Sequence, residues 1–161
     1  LPDVRISGDT QQFIDSTPSR LPNGLRLEGC SIEILDFPNW LGIQRARISL
    51  VDYIEDLVNV KGIKVYILTT RYSELHLHNY LHKGANHIDL YLIAKKLGIP
   101  KHNIFFTNME YKYKFLEKTK VLAHLDDNYI ELNKINKNTK TKGICVITSS
   151  WQKKLNKILK I

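Results

Sequence analysis

The stretch AHLDDNYIEL, residues 123–132, sets two carboxylates, Asp126 and Asp127, at the mouth of an apolar run. Adjacent acids repel, and burial makes each harder to ionise. Their plainest role is a helix N-cap followed by a solvated acid. Their chemically productive role is to hold a cation. Other polar groups follow other apolar runs: Asp36 after SIEIL, Thr69-Thr70-Arg71 after KVYIL, and Thr107-Asn108 after NIFF. Carboxylates from two strands with a threonine from a third make an oxygen-rich set suited to a hard cation. Mg²⁺ is the default, since it takes one or two carboxylates and completes its octahedron with water and a phosphate.

These groups can meet only if the strands carrying them share one sheet edge. The pattern predicts strands over 31–35, 64–69, 103–107, 121–125 and 143–147. Helical spacing predicts helices over 48–60, 87–98, 110–118, 128–135 and 150–160. Gly98 with Pro100 beyond it is a helix stop, and Ser149 or Ser150 is a cap for the last helix. Regular β-α alternation with near-continuous apolar strands predicts an α/β fold, a three-layer Rossmann-like parallel sheet with helices on both faces. In such sheets ligands bind beyond the carboxyl ends of the strands, where all the polar groups above lie. Residues 1–30, with Pro18, Pro22, Asn23-Gly24 and Gly29, read as an irregular N-terminal arm, and 31–161 as the α/β domain.

The 161 residues suffice for one core. No apolar run reaches membrane-spanning length, and LPDVRISGDTQQF lacks the basic flank and apolar core of a signal peptide. A chain opening on Leu1 is expected to be a processed product or an excised domain. Cys30 and Cys145 are too few and too far apart for a disulfide framework, and Cys145 within GICVI reads as a small core hydrophobe. An intracellular, cytoplasmic setting is expected. The net charge of +8 is all in residues 101–161, which hold 13 Lys+Arg against 5 Asp+Glu, while residues 1–100 hold 11 of each. A phosphate-rich partner and simple solvation of helix faces account for this equally well.

Asp36, the VYILTTR stretch, a helical lysine and HLDD together resemble the haloacid dehalogenase-like superfamily of phosphohydrolases over about residues 31–148. The resemblance implies that Asp36 is the nucleophile, Thr69 holds a phosphoryl oxygen and Lys112 neutralises charge. It also implies that Asp36, Pro38 (through its carbonyl), Asp126 and Asp127 hold Mg²⁺. Lys112 is preferred to Lys114 because it opens its helix with Leu116 one turn later, while Lys118 and Lys120 are expected to be solvated. The family's phosphatases place a second acid where Pro38 stands, and the usual Gly-Thr is replaced by Asn39-Trp40. Proline transfers no proton, so acid–base help typically worth about 10²–10⁴-fold in rate would have to come from elsewhere. An alternative start at Asp9 lies inside the arm and is disfavoured.

Thr70, Arg71, Lys114 and Trp40 are candidate substrate contacts. Arg71 equally suits a rim salt bridge, and Trp40 more readily serves as a packing anchor than as a base-stacking surface. His78 and His82 share helical spacing without a third ligand and are expected to be surface or packing residues. The 32 residues between Asp36 and Thr69 and the 42 between Thr69 and Lys112 leave no room for a cap domain. For this family a capless site implies a large substrate. The expected function is a Mg²⁺-dependent phosphohydrolase acting on a phosphate monoester of a nucleotide or polynucleotide. The alternative is a catalytically inactive domain of the same fold serving as a binding or structural module.

Overall fold

The computed structural model describes residues 29–33, 41–76 and 87–161, with only the backbone over 41–49. Five strands form one parallel sheet: β1 (Cys30–Ile32), β2 (Val65–Thr69), β3 (Ile104–Phe106), β4 (Ala123–Asp126) and β5 (Lys142–Cys145). Their order is β3-β2-β1-β4-β5, every pair parallel. The helices are α1 (Leu41–Asn59), α2 (Glu74–His76), α3 (Ile88–Leu97), α4 (Lys112–Leu116), α5 (Tyr129–Asn138) and α6 (Trp151–Leu159). Among the described residues no helix is long and apolar enough to cross a membrane.

Alternation along the strands sorts the sheet into two faces. Cys30, Ile32, Val65, Ile67, Ile104, Ala123, Leu125 and Ile144 pack against α1, α3 and α6 through Leu50, Ile54, Leu57, Leu90, Leu97, Trp151 and Leu155. Tyr66, Leu68 and Phe105 pack on the other side against Phe115 and Leu116 of α4 and Ile135 of α5. This is the expected three-layer α/β fold. Helix α3 ends where Gly98 turns left-handed at φ 82°. The Gly98 N–H bonds Lys95 O and the Ile99 N–H bonds Ala94 O, closing the helix as its sequence predicts.

Some boundaries moved. Strand β1 starts one residue earlier than predicted, and the Glu33 N–H continues its ladder onto Leu125 O at 2.9 Å. Gly29 stands before β1 because only a bare Cα fits: a Cβ there would lie 2.1 Å from Lys64 O, at φ +91°. Helix α1 extends to Leu41, seven residues before the predicted start. Ser150 precedes α6 but makes no capping bond, since its φ −100°, ψ 8° is not the extended geometry that aims a hydroxyl at the first turn. Both cysteines are free thiols; Cys145 is only half-buried, and burial pushes the Cys30 thiol up to about 12, leaving it inert.

Candidate functional site

The centre of the sheet decides the site. β1 hands the chain to β2 on one side, yet β4 lies on its other side, so the strand order reverses between β1 and β4. A crevice opens at such a reversal, beyond the carboxyl ends of the strands. Register puts Ile32 opposite Leu125, so the next residues on each strand, Glu33 and Asp126, face each other at that point.

Lys112, the first residue of α4, reaches between them. Its Nζ lies 2.9 Å from Glu33 Oε1 and bonds Asp126 Oδ2. The ammonium is 2 % exposed and Asp126 1 %, so this is an interior ion cluster. Thr69, the last residue of β2, stands close enough to Glu33 to favour its ionised form. The backbone N–H of Lys112 donates to Glu131 Oε1 at 3.0 Å, fixing the start of α4 onto α5.

Behind Asp126 runs a second line of polar groups. His124 Nε2 lies 2.9 Å from Asp126 Oδ2, and its Nδ1 lies 2.8 Å from Ser31 Oγ. A neutral imidazole, favoured by burial, satisfies both bonds by donating from Nε2 and accepting the serine proton at Nδ1. Asp126 Oδ1 accepts the backbone N–H groups of Asp127 at 2.8 Å and Asn128 at 3.1 Å. Asn128, not an aspartate, caps α5, its side chain accepting from Ile130 N and Glu131 N.

Burial opposes ionisation of Asp126, but the His124 hydrogen bond and the Lys112 charge outweigh it and hold the carboxyl well below the usual range. Burial likewise disfavours the Lys112 ammonium, and the charges of Glu33 and Asp126 reverse the balance and raise it. For Glu33 burial wins over the lysine and the acid is raised. Burial lowers His124, more than its bond to Asp126 restores. Asp127, half-buried beside an ionised neighbour, is pushed up to about 6 by desolvation and by Asp126.

Four of the sequence-predicted groups thus lie at one edge: Thr69, Lys112, Asp126 and Asp127. Lys114 does not join them; it is exposed and paired with Glu110 at 3.0 Å. Arg71 makes the rim pair, 3.3 Å from Asp89. Thr70 accepts the Met109 N–H through its carbonyl. Asp36, Pro38, Trp40, His78 and His82 lie outside the described residues, as do Asp9 and all of the arm except Gly29 and Cys30, the latter already in β1. Sequence reading passed over Glu33, His124 and Ser31. The signal was present: a charged or polar side chain inside SIEIL and VLAHL must either face solvent or find a buried partner.

The described side chains do not by themselves make a Mg²⁺ site. Both oxygens of Asp126 are committed, two donors to each, and Glu33 faces an ammonium. Among the described residues no three His, Cys, Asp or Glu side chains are grouped to hold a metal. The exposed lysines 153, 154 and 157 of α6 lie on its solvated face, opposite buried Trp151 and Leu155.

The fold and this edge define the class: a parallel α/β protein with an acid–lysine–acid cluster at its topological switch. No family model, curated protein or solved structure matches the chain.

Proposed function

We propose that the chain is a phosphohydrolase-like domain of the haloacid dehalogenase type, acting on a phosphate monoester through an acyl phosphate. One observation carries this reading: Glu33, Thr69, Lys112 and Asp126, delivered by four separate elements, meet at the switch point of the sheet. A carboxylate oxygen leaving β1 forms a bond to phosphorus as the bond to the leaving alkoxide breaks. Water then cleaves the acyl phosphate, returning the carboxylate and inorganic phosphate. Lys112 offsets the charge of two anions brought together, and the Thr69 hydroxyl orients a phosphoryl oxygen. The attacking acid is Asp36 by resemblance. Register offers Glu33, which already stands opposite Asp126 with Lys112 at 2.9 Å. The expected Mg²⁺ would rest on Asp127 together with Asp36 and Pro38.

The test is turnover of p-nitrophenyl phosphate, with and without Mg²⁺, by the wild type, Glu33→Gln and Asp36→Asn. Loss of turnover in one variant identifies the nucleophile. Undiminished turnover in both removes the acyl phosphate altogether. A second reading, an inactive module of the same fold, is favoured by the saturation of Asp126 and by Pro38 standing where a proton donor is needed. Its signature is a folded wild type that turns over no phosphomonoester and does not respond to Mg²⁺.

A further inference from the structure

Two strands away from Glu33, beyond the end of β3, lies a cavity of about 390 Å³. That volume falls within the roughly 300–1,000 Å³ typical of small-ligand pockets. Asn108, Glu110, Tyr111, Lys114, Phe115 and Lys118 are among its lining residues, so aromatic rings, an amide and two lysines converge on one space, with the Glu110 carboxylate paired to Lys114.

The walls are held in place. Tyr111 is braced by Lys134, whose Nζ sits 4.5 Å from the ring centroid, and its ring lies 6.2 Å from that of Tyr113. Phe115 is buried against Phe105 at 5.1 Å. The loop closing the cavity is strained: Asn108 and Met109 are consecutive non-glycine residues at φ 53° and 68°. Such backbone persists only where its surroundings over-determine it. Here Asn108 Oδ1 accepts the Ser73 N–H at 2.7 Å, Thr107 Oγ1 donates to Glu110 O at 2.7 Å, and Met109 N bonds Thr70 O at 2.8 Å.

The cavity also lies in line with the rim cluster. Thr107 N bonds Thr69 O at 2.9 Å, and Thr69 and Glu33 stand at the ends of the paired strands β2 and β1, so cavity and cluster share one continuous edge. Two strand spacings separate β3 from β1, about 10 Å. A ligand with a phosphoryl group at one end and a flat aromatic group at the other spans that interval.

We propose that this cavity is the leaving-group subsite and that it takes the base of a nucleoside 5′-monophosphate, stacked against Tyr111. The assignment rests on the phosphomonoesterase reading for the position of the phosphate, but base binding does not require turnover. Calorimetry on the full chain with adenosine 5′-monophosphate, adenosine and ribose 5-phosphate tests it. Adenosine 5′-monophosphate is expected to bind at least tenfold tighter than ribose 5-phosphate. Tyr111→Ala should weaken adenosine 5′-monophosphate and adenosine about tenfold, the value of one lost base–aromatic stack, while leaving ribose 5-phosphate unchanged. The distant Lys153→Ala should change neither adenosine 5′-monophosphate nor adenosine binding. Tyr111→Phe, which keeps the ring, should restore adenosine binding. Equal affinity for adenosine 5′-monophosphate and ribose 5-phosphate, or adenosine binding indifferent to Tyr111→Ala, overturns the subsite. Base binding that follows this pattern without any turnover supports the subsite and removes the hydrolase reading. Turnover without base preference does the reverse.

Discussion

Replacing Lys112 by methionine leaves the side-chain stem in place and removes its charge. Lys112 is 2 % exposed, and its ammonium contacts two carboxylates on different strands, one of them, Asp126, 1 % exposed. Without it Glu33 and Asp126 face each other across β1 and β4 with no cation between them. Removing one partner of a buried pair costs about 3–5 kcal/mol, because the charge left behind is desolvated and unpaired. That is a large part of the roughly 5–15 kcal/mol by which domains are stable. Urea unfolding at pH 7 should therefore show Lys112→Met less stable by about 3–5 kcal/mol at unchanged m value.

The pH dependence is the sharper readout. In the wild type the depressed Asp126 contributes stability that is present above its unfolded value of about 3.9 and lost as pH falls below it. In Lys112→Met, Asp126 keeps its His124 and backbone N–H donors, but Glu33, already raised by burial, loses the charge that lowers it. Its preference for a proton in the folded state deepens, so stability should rise as pH falls from 7 toward 5. Adding Glu33→Gln to Lys112→Met should recover about 1–2 kcal/mol by removing one of the two like charges. A Lys112→Met protein within 1 kcal/mol of wild type at pH 7, with no gain on acidification, would refute the interior ion cluster.

Two further outcomes follow from the same edge of the sheet. Asp127, raised to about 6, holds its proton more tightly folded than unfolded, so it opposes folding increasingly as pH rises from about 4 to 6. Asp127→Asn should then stabilise the protein at pH 7 and flatten its stability over that window; for this half-exposed group the gain is discounted for screening to about 1 kcal/mol. Should Mg²⁺ bind here through Asp127, the ion would stabilise the wild type in thermal unfolding and not the Asp127→Asn variant. Gly29→Ala meets both an unfavourable φ and the Lys64 carbonyl at 2.1 Å. It should cost at least about 2 kcal/mol in urea unfolding, and a neutral result would mean that β1 and β2 are not paired at that point.

The alternation of apolar runs and helical spacing was enough to place five strands and every described α-helix except the short α2, and from that to locate the ligand edge. It also placed Lys112 at the start of a helix. These are local properties: a strand buried on both faces has to be apolar throughout, and a helix on such a sheet has to repeat its apolar residues every three to four positions. The sequence also carried the warning at Glu33 and His124, polar groups inside apolar runs, but not its meaning.

Partners across strands were decided only in three dimensions. The sequence offered Asp36 as the acid leaving the first strand and gave no role to Glu33 inside SIEIL, and nothing local says that Glu33 faces Asp126. Pairing of β1 with both β2 and β4 put Glu33 in that position, with Ser31 beside His124 two residues earlier on the same face. Likewise Lys112 and Lys114 are two positions apart on one short helix, and only packing of α4 against the sheet turned Lys112 inward and left Lys114 to Glu110. A chain specifies its periodicity residue by residue. Which charge ends beside which depends on register between strands some ninety residues apart, and that is fixed by the whole sheet closing at once.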